Sequence, residues 1–183
     1  YGSTAILHPS GIFDDSLRSI PKNMLDYFID NLTKNYNVIF MGAKEFHDVR
    51  TYKPDPDPNL REWFAIIDAA DYFIGCDSCG QHIRKSFNKK ASVVIAGTHR
   101  INVTYDGFHI IERDVPFYPD AMRISGFHSH MSSRLNESRI EFTQQEIENA
   151  YENIVKNIEN IEITKHDNKL INDLKESTKM LYQ

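Results

Sequence analysis

The chain has 183 residues with 40% hydrophobic and 26% charged side chains and a formal net charge of −5. This describes one ordinary globular domain with enough length to bury a core, and a pI near 5.9 excludes nucleic-acid binding through a bulk basic field. No apolar run is long enough to cross a bilayer, no signal peptide opens the chain, and its two cysteines, both within one turn, exclude a disulfide framework; a reducing cytoplasm is the expected compartment. The chain starts at Tyr1 and enters a strand-like run almost at once, so it is expected to be a piece of a longer protein.

Thr4-Ala5-Ile6-Leu7 reads as a short buried strand, ended by His8-Pro9-Ser10-Gly11. A polar loop through Arg18 leads to Pro21, suited to the first turn of a helix, where Met24, Leu25, Phe28, Ile29 and Leu32 recur at helical spacing. Val38 to Met41 is a second strand, closed by Gly42-Ala43. Lys53 to Pro58, with its three prolines, can only be a stiff loop. From Asn59 the pattern is helical again, with Leu60, Trp63, Phe64, Ile66, Ile67 and Ala70 expected to cover one broad face.

Tyr72 to Ile74 reads as a third strand that breaks at Gly75 into a polar turn, and Gly80 to Phe87 as a short helix. Ser92 to Ala96 is a fourth strand, ended by Gly97-Thr98. Val103 to Tyr105 and Phe108 to Ile111 are β-prone around the turn dipeptide Asp106-Gly107. Residues 113 to 142 carry no clear period and read as loop. Thr143-Gln144-Gln145-Glu146 is a capping-box signature. It opens a helix bearing Ile147, Ala150, Tyr151, Ile154 and Ile158, and a last amphipathic stretch runs from about Asn168 to Leu181.

Short strands that are apolar on both faces and alternate with helices predict an α/β fold, a Rossmann-like parallel sheet flanked by helices with further C-terminal helices. Residues 1–160 are expected to form the nucleotide-binding domain. Residues 161–183 are expected to form an amphipathic helix packing on it or on a missing N-terminal half. Ligands of such sheets bind beyond the carboxyl ends of the strands. The turn from Tyr72 to His82 has the chemistry for an anion, because a strand turning into a helix start exposes free backbone N–H groups and a positive dipole end.

In their joint order these pieces resemble the C-terminal, donor-binding half of GT-B glycosyltransferases of the heptosyltransferase family (glycosyltransferase family 9). That family's first strand ends in a His-Pro-Gly or similar turn followed by Lys-x-Trp-Pro; here the place reads Ile6-Leu7-His8-Pro9-Ser10-Gly11, then Arg18-Ser19-Ile20-Pro21. Its second signature, Asp-Thr/Ser-Gly-x-x-His at a helix start, is matched by Asp77-Ser78-Cys79-Gly80-Gln81-His82, with Cys79 standing where the family has Gly. The turn Gly42-Ala43-Lys44-Glu45 is similar to the second-strand loop, whose acidic residue meets the donor ribose.

The resemblance implies a donor site formed by Ser10, Gly11, Arg18, Gly42, Glu45, Asp77, Ser78, Cys79, Gly80 and His82, with Arg18 on the diphosphate. It implies metal-independent hexosyl or heptosyl transfer from a nucleoside-diphosphate sugar, without a cofactor. The acceptor, a glycan or lipid-linked sugar, and the catalytic base would meet it through a missing N-terminal domain, so this stretch alone is expected to be inactive. The implied location is cytoplasmic, with a peripheral place at the inner membrane face left open. Other readings stand beside it. Arg18 also suits a solvated loop, Asp77 and Ser78 a helix cap, and His82 a packed helix residue holding a loop rather than a proton donor. Cys76 and Cys79 with His128 and His130 could make a four-ligand zinc site, although two reduced, partly buried cysteines are favoured. The whole could also be a non-catalytic GT-B-like scaffold with a decayed donor site.

Overall fold

The computed structural model describes residues 3–10, 18–42, 47–54, 58–95, 104–112 and 142–180. Its elements are β1 (Thr4–His8), α1 (Lys22–Leu32), β2 (Asn37–Phe40), α2 (Leu60–Ala69), β3 (Tyr72–Cys76), α3 (Cys79–Ser86), β4 (Ala91–Ile95), β5 (His109–Glu112) and α4 (Gln144–Met180). The strands form one parallel sheet in the order β2-β1-β3-β4-β5. From β1 the chain crosses outward to β2 and then back past β1 to β3. That reversal opens a crevice between the carboxyl ends of β1 and β3, where ligands of such sheets bind.

Alternation along the strands divides the core into two layers. Ala5 and Leu7 of β1, with Tyr72, Ile74 and Cys76 of β3, face the layer formed by α1 and the first half of α4. Ile6, Phe73, Val93 and Ile95 face the layer of α2 and α3. The α/β fold with helices on both sides of a parallel sheet is therefore as expected. On α4, Ile147, Ala150, Ile154 and Ile158 are buried, and the predicted capping box is present. The Thr143 N–H and hydroxyl both donate to Glu146 Oε2 at 2.7 Å, while the Glu146 N–H donates to Thr143 Oγ1 at 3.3 Å. The two expected C-terminal helical stretches are one continuous helix, which passes through residue 160 without a break.

Several local expectations are corrected. Strand β3 does not end before Gly75 but continues through Gly75 and Cys76, which pair with Val93 and Val94. A Cβ on Gly75 would lie 2.6 Å from Phe73 Cε1, so this glycine serves close packing inside a strand instead of a turn. Helix α3 accordingly starts at Cys79. Pro21 is the N-cap of α1, its carbonyl accepting from the Leu25 N–H at 2.9 Å. On α2, Ile67 is buried, but Leu60 is 71% and Phe64 38% exposed, so the apolar face is narrower than its composition implies. Thr104 and Tyr105 are not in a strand. Ala96 to Val103 and 113–141 lie outside the described residues.

Arg84 holds the lower part of the α2–α3 layer together. It is fully buried, and its guanidinium donates to four backbone carbonyls: Lys90 from Nε at 2.9 Å, Ile67 and Ala70 from Nη1 at 2.7 and 2.9 Å, and Asp71 from Nη2 at 2.7 Å. A cation placed on the last carbonyls of α2 satisfies its unpaired acceptors and its negative dipole end. At the amino end of the sheet, the Tyr72 hydroxyl and Ser92 Oγ are 2.9 Å apart, and Ser92 Oγ is 2.9 Å from His109 Nδ1, a polar chain across β3, β4 and β5.

Candidate functional site

The carboxyl ends of β1 and β3 bring two turns into contact. The first is His8-Pro9-Ser10, which is tied to the start of α1 by the Ile20 N–H donating to the Pro9 carbonyl at 2.8 Å. This bond sets Arg18, two residues before Ile20, against the second turn. Arg18 Nη2 donates to the Asp77 carbonyl at 2.7 Å, and Nε lies 3.2 Å from Asp77 Oδ2, an ion contact off the angle of a hydrogen bond. Asp77 is 4% exposed and Arg18 27%, so the pair lies in the crevice with the cation on its open side.

Beneath the ion pair the turns touch through His8. Its Nδ1 is 2.9 Å from Ser78 Oγ, and its ring packs edge-on to Trp63 of α2 at 4.9 Å between centroids. Burial pushes the His8 imidazole down to about 4, so the ring is neutral at physiological pH and accepts from or donates to the Ser78 hydroxyl according to its tautomer. Gly80 permits this contact: a Cβ there would stand 2.7 Å from His8 Nδ1 and 2.7 Å from Phe73 Cζ.

Ser78 occupies the N-cap position of α3 yet makes no side-chain cap to it. Its hydroxyl is used by His8, with the Cys76 carbonyl at 3.4 Å. The first amides of α3 therefore lack the side-chain acceptor that a serine in this position ordinarily supplies. Gln81 is also buried here. Its Nε2 donates to Asp77 Oδ1 at 3.3 Å, while its Oε1 finds no hydrogen-bond partner among the described residues. An Arg beside helix N–H groups that the N-cap side chain leaves uncapped is an arrangement that attracts anions.

The structure thus brings Arg18, Asp77, Ser78 and Gly80 together around His8. Ser10 belongs to the first turn, and Gly42 lies beside it, a Cβ there falling 2.9 Å from Pro9 Cγ. Cys79 and His82 are exposed on the outer face of α3. His82 is exposed instead of packed, and its Nδ1 lies 2.7 Å from the Tyr105 hydroxyl, in the segment before β5. Gly11 and Glu45 lie outside the described residues, as do His128 and His130 of the zinc alternative. Cys76 is buried, with its thiol pushed up to about 12 by desolvation, and no metal-ligand cluster occurs among the described residues.

Sequence reasoning quoted His8 and Gln81 within the two motifs but gave neither a role at the site, and it missed Lys53 as part of this region. Lys53 Nζ donates to the Gly42 carbonyl at 3.0 Å, which puts a second basic residue near the Pro9 turn. The part His8 plays is a contact with Ser78, 70 residues away, which the His8-Pro9 turn does not show by itself. Gln81 bonds to Asp77 only four residues away, within the motif already quoted, whereas Lys53 carries no local signal and reaches the region through the Gly42 carbonyl.

No protein-family model matches the chain, and no curated protein matches it significantly. Solved structures do match. The E. coli heptosyltransferase WaaC with ADP superposes with a TM-score of 0.53 at 11% identity, over 75% of this chain and 44% of that enzyme. The same enzyme with ADP-2-deoxy-2-fluoro heptose gives 0.50 at 12%, over 74% and 43%. E. coli ADP-heptose LPS heptosyltransferase II gives 0.53 at 12%, over 73% and 46%. At such identities the likeness is one of fold: the chain has a glycosyltransferase-like, Rossmann-like α/β fold and spans less than half the length of these heptosyltransferases. No helix among the described residues is long and apolar enough to cross a membrane.

Proposed function

We propose that this chain is the donor-binding half of an inverting GT-B glycosyltransferase and binds a nucleoside-diphosphate sugar across the crevice between β1 and β3. The observation that carries this reading is the meeting of two turns through Arg18 and Asp77, beside α3 amides that Ser78 leaves uncapped. The diphosphate would sit between Ser10–Arg18 and Asp77–Gly80. Support for the ligand class comes from the fold shared with enzymes solved with ADP and an ADP-sugar analogue.

In such a transfer an acceptor hydroxyl forms a bond to the sugar's anomeric carbon as the bond to the diphosphate oxygen breaks. The electron pair leaves on the nucleoside diphosphate, and a base takes the hydroxyl proton. Arg18 and the amino end of α3 would offset the charge growing on the leaving group, work that needs no metal. The base and the acceptor site belong to a further domain in this reading, and the acceptor is a glycan or lipid-linked sugar.

Titration calorimetry of the chain with ADP, with and without EDTA, tests the reading. A hydrogen-bonded charge contributes about 1.5–3 kcal/mol, so Arg18→Ala is expected to weaken binding about tenfold or more, and EDTA to leave it unchanged. Equal affinity of wild type and Arg18→Ala would refute the assignment, and binding abolished by EDTA would refute metal independence.

A further inference from the structure

One line of buried polar groups takes no part in the crevice between β1 and β3. Ser92 of β4 is in register with Ile74 of β3 on one side and with His109 of β5 on the other. Its side chain therefore shares the face of Tyr72 and Ile74, the one covered by α1 and α4. Tyr72 is 1% and Ser92 0% exposed, whereas His109, on the terminal strand of the sheet, is half-buried. The Tyr72 hydroxyl lies 2.9 Å from Ser92 Oγ, which lies 2.9 Å from His109 Nδ1. At the far end the Asn157 side chain of α4 hydrogen-bonds the Tyr72 hydroxyl, between Ile154 and Ile158, which pack on the sheet.

Each hydroxyl carries one proton, so the chain satisfies all its members in only two directions. A phenol is more acidic than an alkanol and is the better donor of the two. With His109 neutral the bonds therefore run from Tyr72 to Ser92 to His109 Nδ1, the ring proton sits on Nε2, and the Asn157 amide donates to the Tyr72 oxygen. A proton taken from solvent can bind only at Nδ1, which then becomes a donor. Ser92 must accept from the ring and donate to Tyr72, and Tyr72 must donate onward. Asn157 meets that proton by presenting its carbonyl oxygen in place of its NH2.

Among the described residues, charges stand around this line and not in it. Arg84 is the one whose charge reaches Tyr72. Asp71 and Lys90 precede β3 and β4, Glu112 lies on the opposite face of β5 with Ile110, and Lys156 and Glu159 are exposed beside Asn157 on α4. The other titratable groups of the layer, Cys76, Tyr27, Tyr36 and Tyr151, stay neutral in acid. Burial is what lowers the His109 imidazole from 6.5.

We propose that Tyr72, Ser92 and His109 form a proton-sensitive relay between the edge of the sheet and α4, in which protonation of His109 reverses the hydrogen bonds along the line and turns over the Asn157 side-chain amide. The relay does not depend on the donor-binding reading.

Nitrogen-15 and proton spectra of the whole chain, recorded from neutral to acid pH, test it. The neutral His109 ring should be the Nε2–H tautomer and titrate with a midpoint below 6.5. The Asn157 side-chain amide should shift with that same midpoint. In Ser92→Ala, His109 should still titrate while the Asn157 step disappears. Should Ser92→Ala fail to fold, His109→Gln at the half-buried edge gives the second reading: the Asn157 step should be absent there too, with the His8 titration near 4 retained. A neutral Nδ1–H tautomer would overturn the relay, because protonation would then reverse nothing. So would a His109 ring that stays neutral down to acid unfolding, an Asn157 amide indifferent to its titration, or an Asn157 step that survives either substitution.

Discussion

His8 Nδ1 and Ser78 Oγ lie 2.9 Å apart in a buried hydrogen bond that joins the end of β1 to the start of α3. Because of it, the serine at the N-cap of α3 bonds to β1 and gives the helix amides no side-chain cap. Since burial lowers His8 from 6.5 to about 4, the unfolded chain binds more protons than the folded one between those values. Stability therefore falls as pH drops through that window and is retained above it. The shift corresponds to about 3 kcal/mol at most. Urea unfolding from neutral to acid pH should show this loss in the wild type and a shallower one in His8→Phe. Parallel profiles would mean that the imidazole is not held neutral.

Gly80→Ala sets a methyl against His8 Nδ1 and Phe73 Cζ, both 2.7 Å away. Neither neighbour is a flexible chain end, so the two turns must separate. Overpacking of this kind destabilises by about 1–3 kcal/mol. Chemical denaturation should read that loss, together with weaker nucleotide binding. A variant as stable as the wild type would show that the turns are not closely apposed.

Arg84→Met retains much of the side-chain volume but leaves carbonyls of Ile67, Ala70, Asp71 and Lys90 without their donor. Stranded buried acceptors cost about 1–3 kcal/mol each, less where water reaches them, and breaking such a network gives about 3–5 kcal/mol in all. Arg84→Lys should recover little of this, because one ammonium cannot reproduce the fork. A loss under about 1 kcal/mol in urea unfolding would deny Arg84 its role as the cap of α2.

Much of this architecture is legible in the residues, for a physical reason. Apolar runs such as Ile6-Leu7 and Val93-Val94 are buried on both faces, which suits a parallel sheet between helices, and Thr143 with Glu146 mark a helix start through a local bond. What escaped notice depends on distant partners. Gly75 has the composition of a turn, but the Phe73 ring and the His8 carbonyl make it a strand residue. Leu60 and Phe64 share the helical period of Ile67, yet period alone does not say how far round the helix the core extends. Arg84 looks like a surface residue, and only the folded chain brings four carbonyls to it. At the site, Arg18 and Asp77 could be picked out by motif order, whereas His8 acts through a contact spanning 70 residues of sequence.

The most direct test of the central claim is a thermal-shift series with ADP, UDP, GDP and CMP on the wild type and Arg18→Ala. A ligand at about a hundred times its dissociation constant stabilises the folded state by about 2.7 kcal/mol, a rise in Tm of roughly 5–10 °C for a domain of this size. The donor-binding account predicts such a rise for one nucleoside diphosphate, lost in Arg18→Ala although that variant still melts cooperatively. No shift with any of the four nucleotides would contradict it and leave the fold as a non-catalytic module.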